Sequence, residues 1–368
     1  MQAIDIEASE AITRRMMMAK RRQNIREEAE GPLKSTPQRR IAKPKVSVVI
    51  VNWNTREMLK NCLRSVISET QSVPMEVIVI DNGSTDGSRE MCRNQFHEVR
   101  LVENSTNTGF ARAVNHGFEL AEGEYILMLN SDTIILNKAI EKSIAFADSR
   151  PDAGIIGCRL LNPDRTLQDS CFRFPNLLGL FLAGTYMSQL FKNSYLLNWD
   201  RYGYRCWTTA QEVDCVMGSY MLIRASVLKD IGQLDTDYFM YGEETDYCFR
   251  VKKAGWKVVY YPSAEIVHVR GGTGRDWAGR AWAYQACQRG QLLFLCKRWN
   301  LAIGYIGNII ITFFIVPRLI VWFLRDLLSS IKNRTCFRPC HLLKGTSFWF
   351  HVKVLYQPRL LQQRWRRT

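Results

Sequence analysis

The feature that most constrains this chain is a rhythm between residues 46 and 132: strand-like apolar runs that stop on polar clusters. Val46-Ser47-Val48-Val49-Ile50-Val51 runs into Asn52-Trp53-Asn54, and Glu76-Val77-Ile78-Val79-Ile80 into Asp81-Asn82-Gly83. Tyr125-Ile126-Leu127-Met128-Leu129 runs into Asn130-Ser131-Asp132, and a shorter run, Val99-Arg100-Leu101-Val102, stands before it. Such near-continuous aliphatic and β-branched runs read as strands buried on both faces. Between them lie stretches with helical spacing: Met58, Leu59, Cys62, Leu63 and Val66, then residues 84–95 and 109–121. Strands alternating with helices of about 10–15 residues predict an α/β fold, Rossmann-like, with a mostly parallel sheet flanked by helices. In such sheets ligands bind beyond the carboxyl ends of the strands, where the three polar clusters lie.

The formal net charge of +15 over 368 residues invites a nucleic-acid reading. Its distribution opposes that reading. Residues 1–45 carry a net +5 and residues 288–368 a net +13, with Asp326 the one acid there, while 46–287 stand at −3. A middle segment acting on a nucleic-acid backbone would itself be basic, so no nucleic-acid partner is expected. The 11 cysteines stand singly without a CxxC pair, and Cys336, Cys340 and His341 lack a second ligand pair. They read as reduced, cytosolic thiols that fill small apolar gaps. Residues 1–45 lack the apolar stretch of a signal peptide and read as a basic tail and linker.

Residues 301–317 are uncharged and mostly apolar, with Lys297 and Arg298 before them and Arg325, Lys332, Arg334 and Arg338 after. Positive charge on both flanks disfavours a single crossing of a membrane. The expectation is an in-plane helix or a shallow hairpin broken at Pro317. Residues 291–368 would then form an apolar and basic membrane-associating region, peripheral or monotopic, on an anionic membrane surface, with each cation near the headgroups contributing about 1 kcal/mol.

Several side chains suit definite chemistry. The stretch from Asp81 to Ser88 lacks both phosphate-loop signatures. Asp81 suits accepting a hydrogen bond from a base or ribose, and the same stretch also reads as an Asx turn with a helix N-cap. Asp132 is a hard carboxylate fit for Mg or Mn on a diphosphate. His268, after the strand-like Glu265-Ile266-Val267, is a candidate for the same ion or an ordinary half-buried histidine. Glu243, Glu244 and Asp246 sit among Tyr238, Phe239, Tyr241 and Tyr247, where one carboxylate could be tuned into a general base. A charged first turn of a helix would look the same.

Taken in order, VSVVIVNWN, EVIVIDNGSTDGS, NTGFARAVNHG, LNSD, VMGSYMLIRASVLKDIGQLDTDYFMYGEETDYCFR and AEIVHVRGG resemble the family 2 glycosyltransferases of GT-A fold, in particular the rhamnosyltransferase-like branch. The resemblance implies a glycosyltransferase domain over 46–290. It implies that Trp53 stacks on the donor's base and Asp81 hydrogen-bonds it, with Gly109, Arg112, Asn115 and Asn130 in the donor-binding segment. Asp132 and His268 would hold a divalent metal, with Asn130 standing where the family's motif has its first Asp. Glu244 matches the catalytic base, with Glu243 and Asp246 as neighbouring candidates, and Gly218 falls on the acceptor side. The implied reaction is inverting transfer of a hexose from a nucleotide-sugar donor to a lipid-linked or cell-envelope glycan acceptor, at the cytoplasmic face of the cell membrane. Processive synthases of this fold carry a Gln-x-x-Arg-Trp element. Here Gln362-Gln363-Arg364-Trp365 is one residue short, which favours transfer of one or a few sugars. The alternatives are a non-catalytic nucleotide-sugar-binding scaffold and a sugar-nucleotide nucleotidyltransferase. The latter would want a Gly-rich stretch with a Lys after Val51, which is absent.

Overall fold

In the computed structural model, β1 (Val46–Asn52) is buried along its whole length. The structure describes residues 43–185, 208–270, 277–332 and 346–357, with isolated residues between 191 and 202 and at 359. The tail through residue 42, Arg334, Arg338, Cys336, Cys340, His341 and the Gln362–Trp365 element lie outside the described residues. β2 (Met75–Asp81) and β4 (Tyr125–Asn130) flank β1, and β3 (Val99–Glu103) lies outside β2, all parallel. The register sets Asn52 beside Asp81 and Val51 beside Asn130, so the three polar clusters emerge level at one end of the sheet.

Beyond β4 the sheet is mixed. β10 (Tyr220–Arg224) is antiparallel to both β4 and β6 (Ala153–Leu161). β11 (Lys257–His268) runs parallel to β6, and β5 (Thr133–Leu136) closes the order β3-β2-β1-β4-β10-β6-β11-β5, while β8 (Gln211–Glu212) pairs with β11 off this path and β7 (Cys171–Phe172) pairs with β9 (Cys215–Val216) in a second sheet. Strand direction leaves no mark on a run buried on both faces. Tyr220–Ile223 is such a run, so the reversal at β10 was not legible in the sequence.

Helices cover both faces, and the alternation along β1 sorts its side chains between them. Val46, Val48 and Ile50 join one core with Leu59, Leu63 and Val66 of α1 (Arg56–Glu69), Met91 of α2 (Ser88–Gln95), and Ile140 and Ile144 of α4 (Ala139–Ser149). Val49 and Val51 join the other, with Val114 and Phe118 of α3 (Phe110–Leu120), Val227 of α6 (Ala225–Ile231), and Tyr247 and Val251 of α7 (Glu243–Lys253). α5 (Leu177–Gly184) belongs to a third cluster with α8 (Trp277–Arg298), α9 (Leu301–Lys332) and α10 (Thr346–Tyr356), built on Leu180, Leu292, Leu295, Ile311 and Val354.

Two expectations about this region change. α9 continues unbroken through Pro317 rather than turning back there as a hairpin. A proline inside a helix removes one backbone hydrogen bond, and packing of the preceding turns, with Asn308, Ile311 and Ile315 buried, holds the helix on its course. Lys297 and Arg298 do not flank the apolar run as free cations. They turn inward, Lys297 onto Asp235 and onto Asp237 at 2.7 Å, and Arg298 onto Asp246. Among the described residues no helix is long and apolar enough to cross a membrane. The residue expected to end the glycosyltransferase domain, 290, falls inside α8.

Candidate active site

The three strand ends are tied to one another by side chains. Asn52 donates through Nδ2 to Asp81 Oδ2 (2.9 Å) and Ser84 Oγ (3.0 Å), and its Oδ1 accepts from Thr55 Oγ1 (2.6 Å). Thr55 Oγ1 in turn lies 2.8 Å from Ser131 Oγ. Asp81 is 1% exposed and also accepts from Ser84 N (2.9 Å) and Arg89 Nε (2.6 Å). Burial pushes its pKa up, but the hydrogen bonds from Ser84, Arg89 and Asn52 outweigh it and hold the carboxyl below its ordinary value. Asn82 binds the following loop, donating to Asn107 Oδ1 (3.0 Å) and accepting from Asn104 Nδ2 and Thr108 N (3.1 Å each).

Above this floor opens a cleft. Trp53, Asn82, Phe110, Asn130 and Asp132 line it from the parallel half, and Phe239, Met240 and Trp282 line it from the opposite side. The segment carrying Phe239 is pinned across the start of α3, where Phe110 N donates to Phe239 O (2.7 Å). Gly109, at φ +90°, permits that crossing, since a β-carbon there would stand 2.8 Å from the Phe239 ring and carbonyl. Asn115 clasps the same segment further back, accepting from Leu234 N (3.0 Å) and donating to Leu234 O (2.9 Å). Arg112 is exposed on α3.

Asp132 and His268 are brought together by the antiparallel pairing of β5 with β11, which sets His268 against Thr133. Both are buried, with His268 Nε2 3.5 Å from Asp132 Oδ1. Asn130 Oδ1 beside them is buried without a hydrogen-bond partner among the described residues. Asn130 N donates to Ser219 O (3.1 Å), and the neighbouring Gly218 faces Glu244, since a β-carbon on Gly218 would stand 3.3 Å from Glu244 Cβ. The carboxylates of α7 differ sharply. Asp246 is fully buried and held by Arg250 Nε (2.9 Å) and Arg298 Nε (2.7 Å). Glu243 is 4% exposed and its Oε2 has no partner among the described residues. Burial first, then the charge of Glu244, pushes its pKa well above the ordinary carboxylate value. Glu244 is half-buried, accepts from Gly242 N (3.1 Å), and is likewise shifted up by burial.

This arrangement, strand-end polar clusters facing the Phe239–Met240 segment across a cleft with the acidic start of α7 following it, coincides with a known family. Residues 44–289 match the family model described as "Glycosyltransferase like family 2". The chain belongs to glycosyltransferase family 2. It is similar to the N-acetylglucosaminyl-diphospho-decaprenol L-rhamnosyltransferase of Mycobacterium tuberculosis, with 30% identity over 276 residues, 68% of this chain and 84% of the relative. It is also similar to the rhamnosyltransferase WbbL of Escherichia coli K12, with 24% identity over 248 residues, 65% of this chain and 89% of that one. The crystal structure of GalNAc-T7 with UDP, GalNAc and Mn2+ shares the fold, with a TM-score of 0.50 and 14% identity over 69% of this chain and 48% of its own.

Within this family 2 glycosyltransferase, the structure gathers Trp53, Asn130 and Asp132 at one cleft, sets His268 against Asp132 behind it, and sets Glu244 against the neighbouring Gly218 turn. It leaves Arg112 on the surface and gives Asn115 and Gly109 the task of seating the Leu234–Phe239 segment. Trp282 was missed by sequence reasoning. It lies on α8, packs edge-on to Phe239 at 6.4 Å, and resembles any core aromatic of a helix until the fold brings it to the cleft.

Proposed function

We propose that this glycosyltransferase moves a hexose, with L-rhamnose from a dTDP donor favoured, onto a hydroxyl of a lipid-linked or cell-envelope glycan, inverting the anomeric centre. The sugar and acceptor are suggested by the names of the two rhamnosyltransferase relatives. The observation that carries the mechanism is the meeting of two unlike acidic centres around one turn. The Asp132–His268 pair adjoins Asn130, which is tied to Ser219, while Gly218 beside it faces Glu244.

Trp53, on the cleft wall, would stack on the base, with the Asp81–Asn52–Thr55 network forming the floor beneath it. The Asp132–His268 pair fits a divalent ion: two ligands at about 2.1 Å from one ion span a separation of this order, and the observed one is 3.5 Å. Among the described residues no group of three or more His, Cys, Asp or Glu forms a metal cage, so donor phosphate oxygens would complete the coordination. A bound ion would neutralise charge developing on the departing diphosphate. Of the acidic candidates, Asp246 is taken up by two guanidiniums and Glu243 is sealed from solvent, which leaves Glu244 as the base. Glu244 takes the proton of the acceptor hydroxyl as its oxygen bonds to the anomeric carbon. The bond from that carbon to the diphosphate breaks in the same displacement, with no protein nucleophile.

The membrane surface is proposed to hold the acceptor. Ile306, Ile309, Phe313, Leu324, Leu328 and Ile331 are exposed along α9. At about 100° per residue they form one stripe. An apolar stripe in a region of net +13 suits an anionic cytoplasmic leaflet.

The test offers a panel of nucleotide sugars with membrane extracts, and reads product mass and anomeric configuration. The expected product gains one deoxyhexose with inverted configuration. Retention of configuration, or full turnover by Glu244→Gln, would overturn the mechanism, and turnover indifferent to EDTA would remove the ion.

A further inference from the structure

We infer that Gln168, a loop residue outside every strand-end cluster, fixes which nitrogen of His268 faces Asp132. The inference rests on reading Asp132 and His268 as an ion-binding pair. Gln168 is 4% exposed, in the loop between β6 and β7 (Cys171–Phe172), and its own N donates to Leu160 O (2.8 Å). Two backbone carbonyls, which can only accept, settle the direction of its amide. Leu167 O receives Asn162 Nδ2 (3.3 Å), a nitrogen also 2.8 Å from Thr166 Oγ1, so Asn162 presents Oδ1 to Gln168. His268 O receives Gln168 Nε2 (2.7 Å), and the same Nε2 donates to Asn162 Oδ1 (2.8 Å). Both amide hydrogens therefore point at fixed acceptors. Gln168 Oε1 is left facing His268 Nδ1 and Arg270 Nε, each at 3.0 Å.

An amide oxygen only accepts, so Nδ1 of His268 carries the hydrogen. In its neutral form the imidazole has one N–H, so with the hydrogen on Nδ1 that form presents Nε2 as a lone pair, 3.5 Å from a carboxylate oxygen of Asp132. Lone pair against carboxylate is unfavourable unless a cation joins them. Metal-binding histidines are commonly oriented in this way, by an acceptor on the far nitrogen. Gln168 is thus a positioning residue: it touches no substrate and acts through His268.

The test uses the full chain labelled with 15N-histidine, with the His268 resonances assigned by their loss in His268→Ala. Long-range 1H–15N spectra read the tautomer without any ion, and the electron paramagnetic resonance of free Mn2+ reads affinity for Mn2+ in the presence of UDP. The expected wild-type ring is the Nδ1–H form. Gln168→Met should lose that preference and bind Mn2+ about 10–100-fold more weakly. The Gln168→Met/His268→Ala double variant should be no weaker than His268→Ala alone. If Gln168→Met melts below the assay temperature, Asn162→Leu serves instead, since it frees the Gln168 amide and should move both readouts the same way by less. A wild-type ring found as Nε2–H or doubly protonated at neutral pH, or unchanged Mn2+ affinity in Gln168→Met, overturns the inference. Wild-type protein in the Nδ1–H form that binds no Mn2+ overturns instead the ion-binding reading of the pair.

Discussion

The strand ends and the acidic start of α7 handle polar atoms in opposite ways. On the parallel side, Asn52, Asp81 and Asn82 each make several hydrogen bonds, so the strand ends are locked before any donor arrives. On the acidic side, Glu243 keeps a buried oxygen without a partner among the described residues, and burial raises both Glu243 and Glu244. Saturated hydrogen bonding gives shape, and desolvation gives carboxylates that hold a proton more tightly. The exception on the parallel side is instructive: Asn130 Oδ1, without a partner among the described residues, lies next to Asp132, at the proposed ion site.

The comparison can be broken in several places. The largest effect is expected on the reactive side: Glu244→Gln should lower kcat by about 10²–10⁴-fold, with donor affinity measured by calorimetry unchanged. Because burial raises the Glu244 pKa from 4.5, the acid limb of the wild-type rate profile should lie above the ordinary carboxylate range, with activity falling as pH drops through it. Next, Arg298→Ala removes one of the two guanidiniums holding the fully buried Asp246. It should cost about 3 kcal/mol in urea unfolding, and an unchanged midpoint would show that α8 does not anchor the acidic segment. On the saturated side, Asn52→Ala strands Asp81, Ser84 and Thr55 together. About 2 kcal/mol of lost stability is expected there, read from the same unfolding curves, with the Glu244-dependent rate per folded molecule changed far less than by Glu244→Gln.

Smaller effects probe the outer surface and the sealed carboxylate. Phe313→Ser and Leu328→Ser alter side chains that are 69% and 66% exposed. Each should weaken sedimentation with anionic vesicles by about tenfold without lowering the melting temperature, and undiminished binding would remove α9 from the membrane proposal. The smallest effect is a gain. A glutamate whose folded pKa is raised favours folding only while protonated, so its contribution is lost as pH rises through the folded value. Glu243→Gln should therefore melt higher than wild type at neutral pH, and the advantage should vanish below the ordinary carboxylate pKa of 4.5.

Much of the parallel half was legible because its determinants are local. The strand runs, the helical spacing of Leu59, Cys62, Leu63 and Val66, and the polar residues after each strand follow from periodicity and from the ligand rule for α/β sheets. Asp81 was legible as a position but not as a state. Its 1% exposure and three donors come from Asn52, Ser84 and Arg89, which meet only in the folded turn. The cations Lys297 and Arg298 read as a membrane flank because charge is visible in a sequence and its partner is not.

Local patterning along the chain accounts for the alternation of strands and helices, the polar strand ends, the concentration of positive charge at the two termini, and the acidic opening of α7. These depend on neighbours within a few residues of each other. Only the tertiary structure decided that β10 runs backward, that β5 against β11 brings Asp132 to His268, that Trp282 reaches the cleft, and that Gln168 turns the imidazole. Each of these is a contact between segments distant in the chain. It is specified by strand register and by which acceptor lies within hydrogen-bond reach, and no local pattern records either one.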